Sequence, residues 1–353
     1  MKFSPIALGL ALACTGTAAL AQSSVQVFGI IDTGVTHYTG ANSLNTVNGD
    51  GNTSSRLGFR GTEDLGGGLK AGFWLEAAFD SDNGAGGGAT SADNRTGIGS
   101  GAFKFGRRST VSLMGNWGEV RLGRDFVPGF RNLAVTSGGY HAFGTNGVGS
   151  SAVLFYPVGA TKGVTHVRAS NQIAYHLPKN LGGLFGEVSI ARGEQVGTSD
   201  GNLVGGRIGY AAGPFSVAAA ITQTKVAAVD NLTQTNIGGS YDFGVAKAML
   251  LWGENKNGVG QKTRVTAIGA HVPVGPGQVR LSYGTAKATN VGNNADHIAL
   301  GYVHNLSKRT ALYGTYARVK NKNGGNTYVV DGGPAASASG TSTGLQVGIR
   351  HAF

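Results

Sequence analysis

The chain has 353 residues, including 62 glycines and a single cysteine, and a formal net charge of +11, although only 13% of its residues are charged. Its lysines and arginines stand singly among glycines and short apolar residues, which excludes the clustered basic patch of a nucleic-acid binder, and the glycines follow no collagen period. No segment after residue 21 carries an apolar helical pattern of useful length, so the composition leaves an all-β chain with glycine-rich turns.

At the N-terminus, Lys2 precedes the apolar run 6–13, and Ala19-Leu20-Ala21 supplies the small-x-small pattern of an export leader. The run falls short of the about 20 residues that a spanning helix needs. The expected organisation is a leader over 1–21 and one barrel domain over 22–353. Cys14 leaves with the leader, and Ala11 occupies the place where lipid attachment would need a branched aliphatic residue. The remaining chain has neither thiol nor disulfide in an oxidising compartment, and losing Lys2 and no acid lowers its net charge to +10.

From there, strands of about ten residues alternate with short and long polar connections, the rhythm of a transmembrane antiparallel β-barrel. Strands are expected near 25–38, 55–64, 68–80, 105–116, 118–126, 166–177, 184–192, 201–212, 214–224, 233–243, 245–255, 262–273, 276–287, 295–305, 309–320 and 342–353, sixteen in all. Period-two alternation sets Leu57 and Phe59 against Arg56 and Arg60. It sets Leu69, Phe73 and Leu75 against Lys70, Trp74 and Glu76, and Val120 and Leu122 against Glu119 and Arg121. Further on, Ile173 opposes Gln172, Leu281 opposes Arg280, and Ile349 opposes Arg350. The segments 245–255, 262–273 and 309–320 alternate poorly, and their facing stays open. Aromatics near strand ends (Phe28, Tyr38, Phe79, Tyr156, Tyr175, Tyr210, Tyr241, Phe243, Tyr302 and Phe353) suit interfacial girdles rather than a sandwich core. Long exposed loops are expected at 39–54, 81–104, 193–200, 225–232, 256–261, 288–294 and 321–341. A third long loop over 127–165 contains one strand-like piece, 152–156.

The hairpin block from Ser55-Arg56-Leu57-Gly58-Phe59-Arg60-Gly61 through Leu69-Lys70 resembles the second-strand hairpin of general Gram-negative porins. So do the stretch from Arg108-Ser109-Thr110 to Leu122-Gly123-Arg124 and the ending Gly344-Leu345-Gln346-Val347-Gly348-Ile349-Arg350-His351-Ala352-Phe353. Within that family the chain looks closest to the anion-selective porins of β-proteobacteria. The resemblance implies a sixteen-stranded homotrimeric barrel in the outer membrane, with the third loop folded into the pore. It also implies a water-filled diffusion channel for small hydrophilic solutes that prefers anions. Partners would be small anionic solutes, outer-membrane lipid and lipopolysaccharide, and the barrel-assembly machinery, which would read the terminal Phe353.

Carried over by motif, the resemblance puts Arg56, the pair Arg107/Arg108 and Arg168 at a constriction. Alternation with Val111 and Leu113 points Arg108 inward, whereas the motif alignment favours Arg107, and a bulge would reconcile the two. Glu76 shares the inward face and orients the arginines, while Arg60, Lys70 and Arg121 extend a basic track. The third loop opens with Asp125-Phe126-Val127-Pro128-Gly129-Phe130, so the acid that commonly follows Pro128 is missing, which favours anions. Guanidinium suits the task because it stays charged and binds oxyanions with paired donors.

No cofactor or metal is expected. Gly66–Lys70 lacks phosphate-loop spacing, the eight histidines are scattered, and Asp80, Asp82 and Asn83 read as an exposed loop rather than a calcium site. No nucleophile–His–acid set supports an enzyme. The remaining alternatives are a substrate-specific channel for phosphate, dicarboxylates or acidic peptides, and a soluble secreted adhesin.

Overall fold

The structure, a computed structural model, describes residues 24–86, 103–134, 141–155, 167–289 and 293–353; the expected leader lies outside them. One antiparallel sheet curls until its first and last strands pair. The first half contains β1 (Ser24–Thr39), β2 (Ser43–Gly49), β3 (Arg56–Gly66), β4 (Leu69–Ala78), β5 (Arg108–Gly115), β6 (Gly118–Phe126), β7 (Arg168–His176), β8 (Leu184–Ala191) and β9 (Leu203–Ala212). The second half contains β10 (Phe215–Val226), β11 (Asp230–Asp242), β12 (Lys247–Asn257), β13 (Lys262–Val274), β14 (Gly277–Thr289), β15 (Asn294–Asn305), β16 (Thr310–Lys322) and β17 (Thr341–Ala352). Between β6 and β7 lie the short helix α1 (Pro128–Ala134) and a 3-10 turn (Ser151–Phe155).

These seventeen described strands fill sixteen positions. β2 pairs with the upper half of β1 (Thr33 to Thr39) and β3 with its lower half (Ser24 to Ile30), so both share one place in the wall. Closure comes from β1 against β17, from Ile30 opposite Ala352 to Thr39 opposite Thr343. At the tight-turn rim, Gly29 and Phe353 exchange both backbone hydrogen bonds at 3.1 Å.

Alternation decides which side chains face out. Val27, Ile31, Val111, Leu122, Ile173, Ile208, Leu281 and Ile349 are exposed on the exterior, while Asp32, Glu76, Gln172 and Ser282 between them are buried inside. No helix among the described residues is long and apolar enough to cross a membrane, and the strands supply the apolar exterior instead. Tight turns rely on glycine: Gly66, Gly67 and Gly68 have φ of 82°, 60° and 81°, a region that disfavours side chains with a Cβ. With lipid against this wall, Ile208→Arg is expected to cost about 2–4 kcal/mol of folding free energy near mid-membrane. Urea unfolding in bilayers, with the inward Thr222→Ser as control, measures it.

Several expectations are corrected. Residues 39–54 are not an exposed loop: 43–49 form β2, and the following Asp50–Ser55 segment turns inward. Asp32, whose carboxylate points into the barrel, accepts the Asn52 and Thr53 N–H groups at 2.9 and 2.7 Å and the Tyr313 hydroxyl at 2.6 Å. That carboxylate satisfies backbone donors that solvent would otherwise serve. Phe28 and Tyr38 belong to no outer girdle. Phe28 packs on Trp74, and Tyr38 is 1% exposed with its hydroxyl donating to the Asp331 carbonyl. In the last long loop, Tyr328 and Val330 are buried, not exposed. The strand-like piece at 152–156 is the 3-10 turn, with Tyr156 outside the described residues.

Buried chain from the third and last long loops, this turn included, explains the three segments with poor alternation. Leu154 and Phe155 join a buried apolar cluster with Met249, Leu251, Val265, Ala267, Ala317 and Val319. The outer faces of the same strands carry Leu250, Trp252, Ile268, Leu312 and Tyr316. Both faces are therefore apolar, one against lipid and one against packed chain, and no hydrophobic period survives.

Candidate functional site

Strand register stacks the inward side chains of β3 to β6 in rows. Arg56 lies opposite Ala78; the next inward row down is Gly58, Glu76 and Arg108; then come Arg60, Trp74 and Thr110. Below them lie Gly72, Ser112 and Arg121, then Asp64, Lys70, Met114 and Glu119 at the tight-turn rim. At about 3.3 Å per residue, Arg56 stands some 26 Å above Asp64 and Lys70.

Glu76 gathers the upper row. Its Oε1 receives Arg107 Nε at 2.6 Å and lies 3.5 Å from Arg56, while Oε2 accepts the Trp74 indole N–H at 3.0 Å. Arg107 precedes β5 at a bend, so it escapes strand alternation, and Arg108 opens the strand with inward parity. Both residues face inside, without the bulge the sequence suggested at this point. An irregularity lies instead between β6 and β7, where Asn171 adopts φ 56°.

Asp125 gathers a second group. Arg121 and Arg131 reach it at 2.7 and 2.8 Å, and Arg108 at 3.6 Å. Arg121 also forms a two-pronged pair with Glu119, and Arg131 holds Glu187 at 3.0 Å. Arg168 is 5% exposed; it donates to the Arg107 carbonyl at 2.8 Å and lies over the Phe126 ring. Arg56 and Arg108 are the more accessible members, with side chains 21% and 18% exposed. Arg107 and Arg168 stand behind them.

Among the described residues, the cluster brings six guanidinium groups (Arg56, Arg107, Arg108, Arg121, Arg131 and Arg168) to four carboxylates (Glu76, Glu119, Asp125 and Glu187). Guanidinium groups outnumber carboxylates in this cluster, an imbalance that attracts anions.

Of the residues singled out from sequence, Arg56, Arg107, Arg108, Arg168, Glu76 and Asp125 come together. Arg60 and Arg121 lie below them, and Lys70 sits apart at the rim, 3.6 Å from Asp64. Pro128 begins α1, which hydrogen-bonds to residues of inward parity: Gly129 N–H to Thr222 at 2.8 Å, and Asn132 to Asn236 at 2.7 Å. Arg131 was missed, because nothing local in a glycine-containing loop tells that its side chain will reach Asp125. Arg280, which donates to Asn52 at 2.9 Å from across the barrel, was visible in the alternation but not as a partner of the inward Asp50–Ser55 segment. Among the described residues no group of His, Cys, Asp and Glu suits a metal ion.

Above the cluster, Asp331 ties the last long loop to the third. Its carboxylate accepts the Gly147 N–H at 2.8 Å. Burial pushes its pKa up to about 6, the charge of Asp50 adds to the rise, and the Gly147 hydrogen bond opposes it. Between about pH 4 and 6 the folded protein thus holds a proton that the unfolded chain has lost, and stability falls as pH rises through this window. The change amounts to about 3 kcal/mol. Asp331→Asn is expected to flatten this dependence, read as hydrogen exchange at the Gly147 amide.

The model of a Gram-negative porin family matches residues 7–324. Outer membrane porin protein 32 of Delftia acidovorans is 42% identical over 372 aligned residues, covering 100% of both chains, and an outer membrane porin of Bordetella pertussis is 29% identical with the same coverage. The solved structure of an anion-selective porin from Comamonas acidovorans matches with a TM-score of 0.80 and 40% identity, over 94% of this chain and 100% of that one. A closed sixteen-position wall with charges turned inward, joined to this likeness over the whole length, makes the chain a member of the Gram-negative porin family, a channel-forming protein of the outer membrane and not an enzyme.

Proposed function

We propose that this porin is a diffusion channel for small hydrophilic anions, with a constriction built by Arg56, Arg107, Arg108 and Arg168 and oriented by Glu76 and Asp125. The observation that carries this reading is the excess of guanidinium groups over carboxylates in the cluster. Hydrogen bonds from α1 to inward-parity Thr222 and Asn236, and from Asn255 to the Phe155 carbonyl, support a third loop folded into the pore. Arg60, Arg121 and Lys70 continue the charge toward the periplasmic rim as a basic track. The anion-selective name of the Comamonas relative points the same way.

The exterior supports the expected partners. Around the closure seam, Val25, Val27, Ile31, Val35, Val47, Leu345 and Val347 form an uncharged exposed face suited to the neighbouring copies of a homotrimer. On the far side, Lys256, Arg264, Lys287, Arg318 and Lys320 are exposed near the long-loop ends of β12 to β16, where the phosphates of lipopolysaccharide would lie. The exposed Phe353 at the closing strand suits recognition by assembly machinery after the leader 1–21 is removed.

Purified protein in a planar bilayer is expected to give conductance in three steps, with a reversal potential in a KCl gradient that reports anion preference. Cation preference would end the proposal. A substrate-specific channel would instead show conductance that saturates with one solute.

A further inference from the structure

Below the arginine cluster, an inward cavity of about 370 Å³ is lined by Gln26, Arg60, Trp74, Arg108, Glu119 and Arg121, among others. Trp74 lines it from the strand between two arginines: Arg60 comes from β3 on one side and Arg108 from β5 on the other. Their guanidinium carbons lie 4.9 and 4.5 Å from the Trp74 ring, and Arg60 also lies 5.1 Å from Phe28. The indole is itself held, because its N–H donates to Glu76 at 3.0 Å. Such stacking restrains the plane of a guanidinium, which a long side chain otherwise leaves free.

The donors are unevenly used. Arg60 spends Nε and Nη2 on Gln26 Oε1, at 2.9 and 2.7 Å, and Arg108 spends Nε on Thr110 at 3.1 Å. Among the described residues, Arg60 Nη1 and both terminal nitrogens of Arg108 have no hydrogen-bond partner. Arg121, by contrast, is fully engaged by Glu119 and Asp125. Two oriented guanidinium edges therefore border a cavity that contains apolar surface from Trp74 and Met114.

We propose that this cavity is a second, saturable anion station on the periplasmic side of the constriction, built by Arg60, Trp74 and Arg108 and selective for planar oxyanions such as carboxylates over halides. A planar oxyanion meets a guanidinium edge with two oxygens at once, whereas a spherical chloride meets only the charge. Trp74 acts as a positioning residue that holds both forks. The station rests on the reading that the pore admits anions.

Acetate added to KCl during bilayer recording is the probe. The unmodified porin is expected to show chloride current that acetate reduces along a saturating curve. Arg60→Lys keeps the charge but loses the fork and stack, and is expected to raise the half-blocking acetate concentration about tenfold. Trp74→Leu should act in the same direction, and the heat-dependent gel mobility of both variants checks that the barrel forms. Cation preference of the unmodified porin in a plain KCl gradient would sink the anion reading itself. Anion preference with no saturable acetate block, or with Arg60→Lys blocked like the unmodified protein, would overturn the station alone.

Discussion

Replacing Arg56 and Arg108 together with serine is expected to cut the chloride-over-potassium permeability ratio by about tenfold or more. These are the constriction arginines with the most accessible side chains, so an ion in the lumen passes closest to them. A unit charge at about 5 Å in a water-like dielectric is worth about 0.8 kcal/mol, roughly fourfold per charge. The double replacement removes two of the cluster's positive charges. Screening shortens the reach of each charge from about 10 Å at 0.1 M salt to about 3 Å at 1 M, so the loss should be largest in dilute KCl. Reversal potentials at two mean concentrations measure it, and a potential unmoved at both would remove these residues from the ion path. Arg168→Ser should change selectivity less, because its guanidinium is buried against Phe126 and the Arg107 carbonyl.

Asp125→Asn is expected to cost about 3–5 kcal/mol of stability, the range for removing one partner from a buried ionic group. Among the described residues its carboxylate is the one acid in direct ion-pair contact with both Arg108 and Arg131, and it also holds Arg121. Without it three guanidiniums crowd a site of low exposure, and one of the contacts that join α1 to the wall is lost. The urea midpoint in lipid reports the loss, with proteolysis of the third loop as a local readout. A midpoint like that of the unmodified protein would mean that Glu119 and Glu187 suffice to balance the arginines.

Much of the wall was legible because a strand with lipid on one face and water on the other must alternate. The hairpin from Arg56 to Glu76 shows this, as does β5 with Val111 and Leu113 outside. The same logic correctly sent Arg60, Glu76, Arg108 and Arg121 inward. It failed at β12, β13 and β16, where the third loop covers the inner face and Met249, Leu251 and Val319 became as apolar as the exterior. It failed again at 39–54, where an Asn- and Gly-rich composition suggested solvent, while Asp32 and Tyr313 draw the segment inward.

Local pattern alone thus determined the all-β architecture, the sixteen positions and the inward parity of most arginines, since each follows from which solvent a side chain meets. The pairing of those arginines was decided only in three dimensions. Glu76 and Arg107 are 31 positions apart, and Asp125 meets Arg131 through a helix whose course depends on packing against β8 to β11. Ion-pair partners are set by the curvature and register of the closed wall, and an alternating pattern carries no record of either.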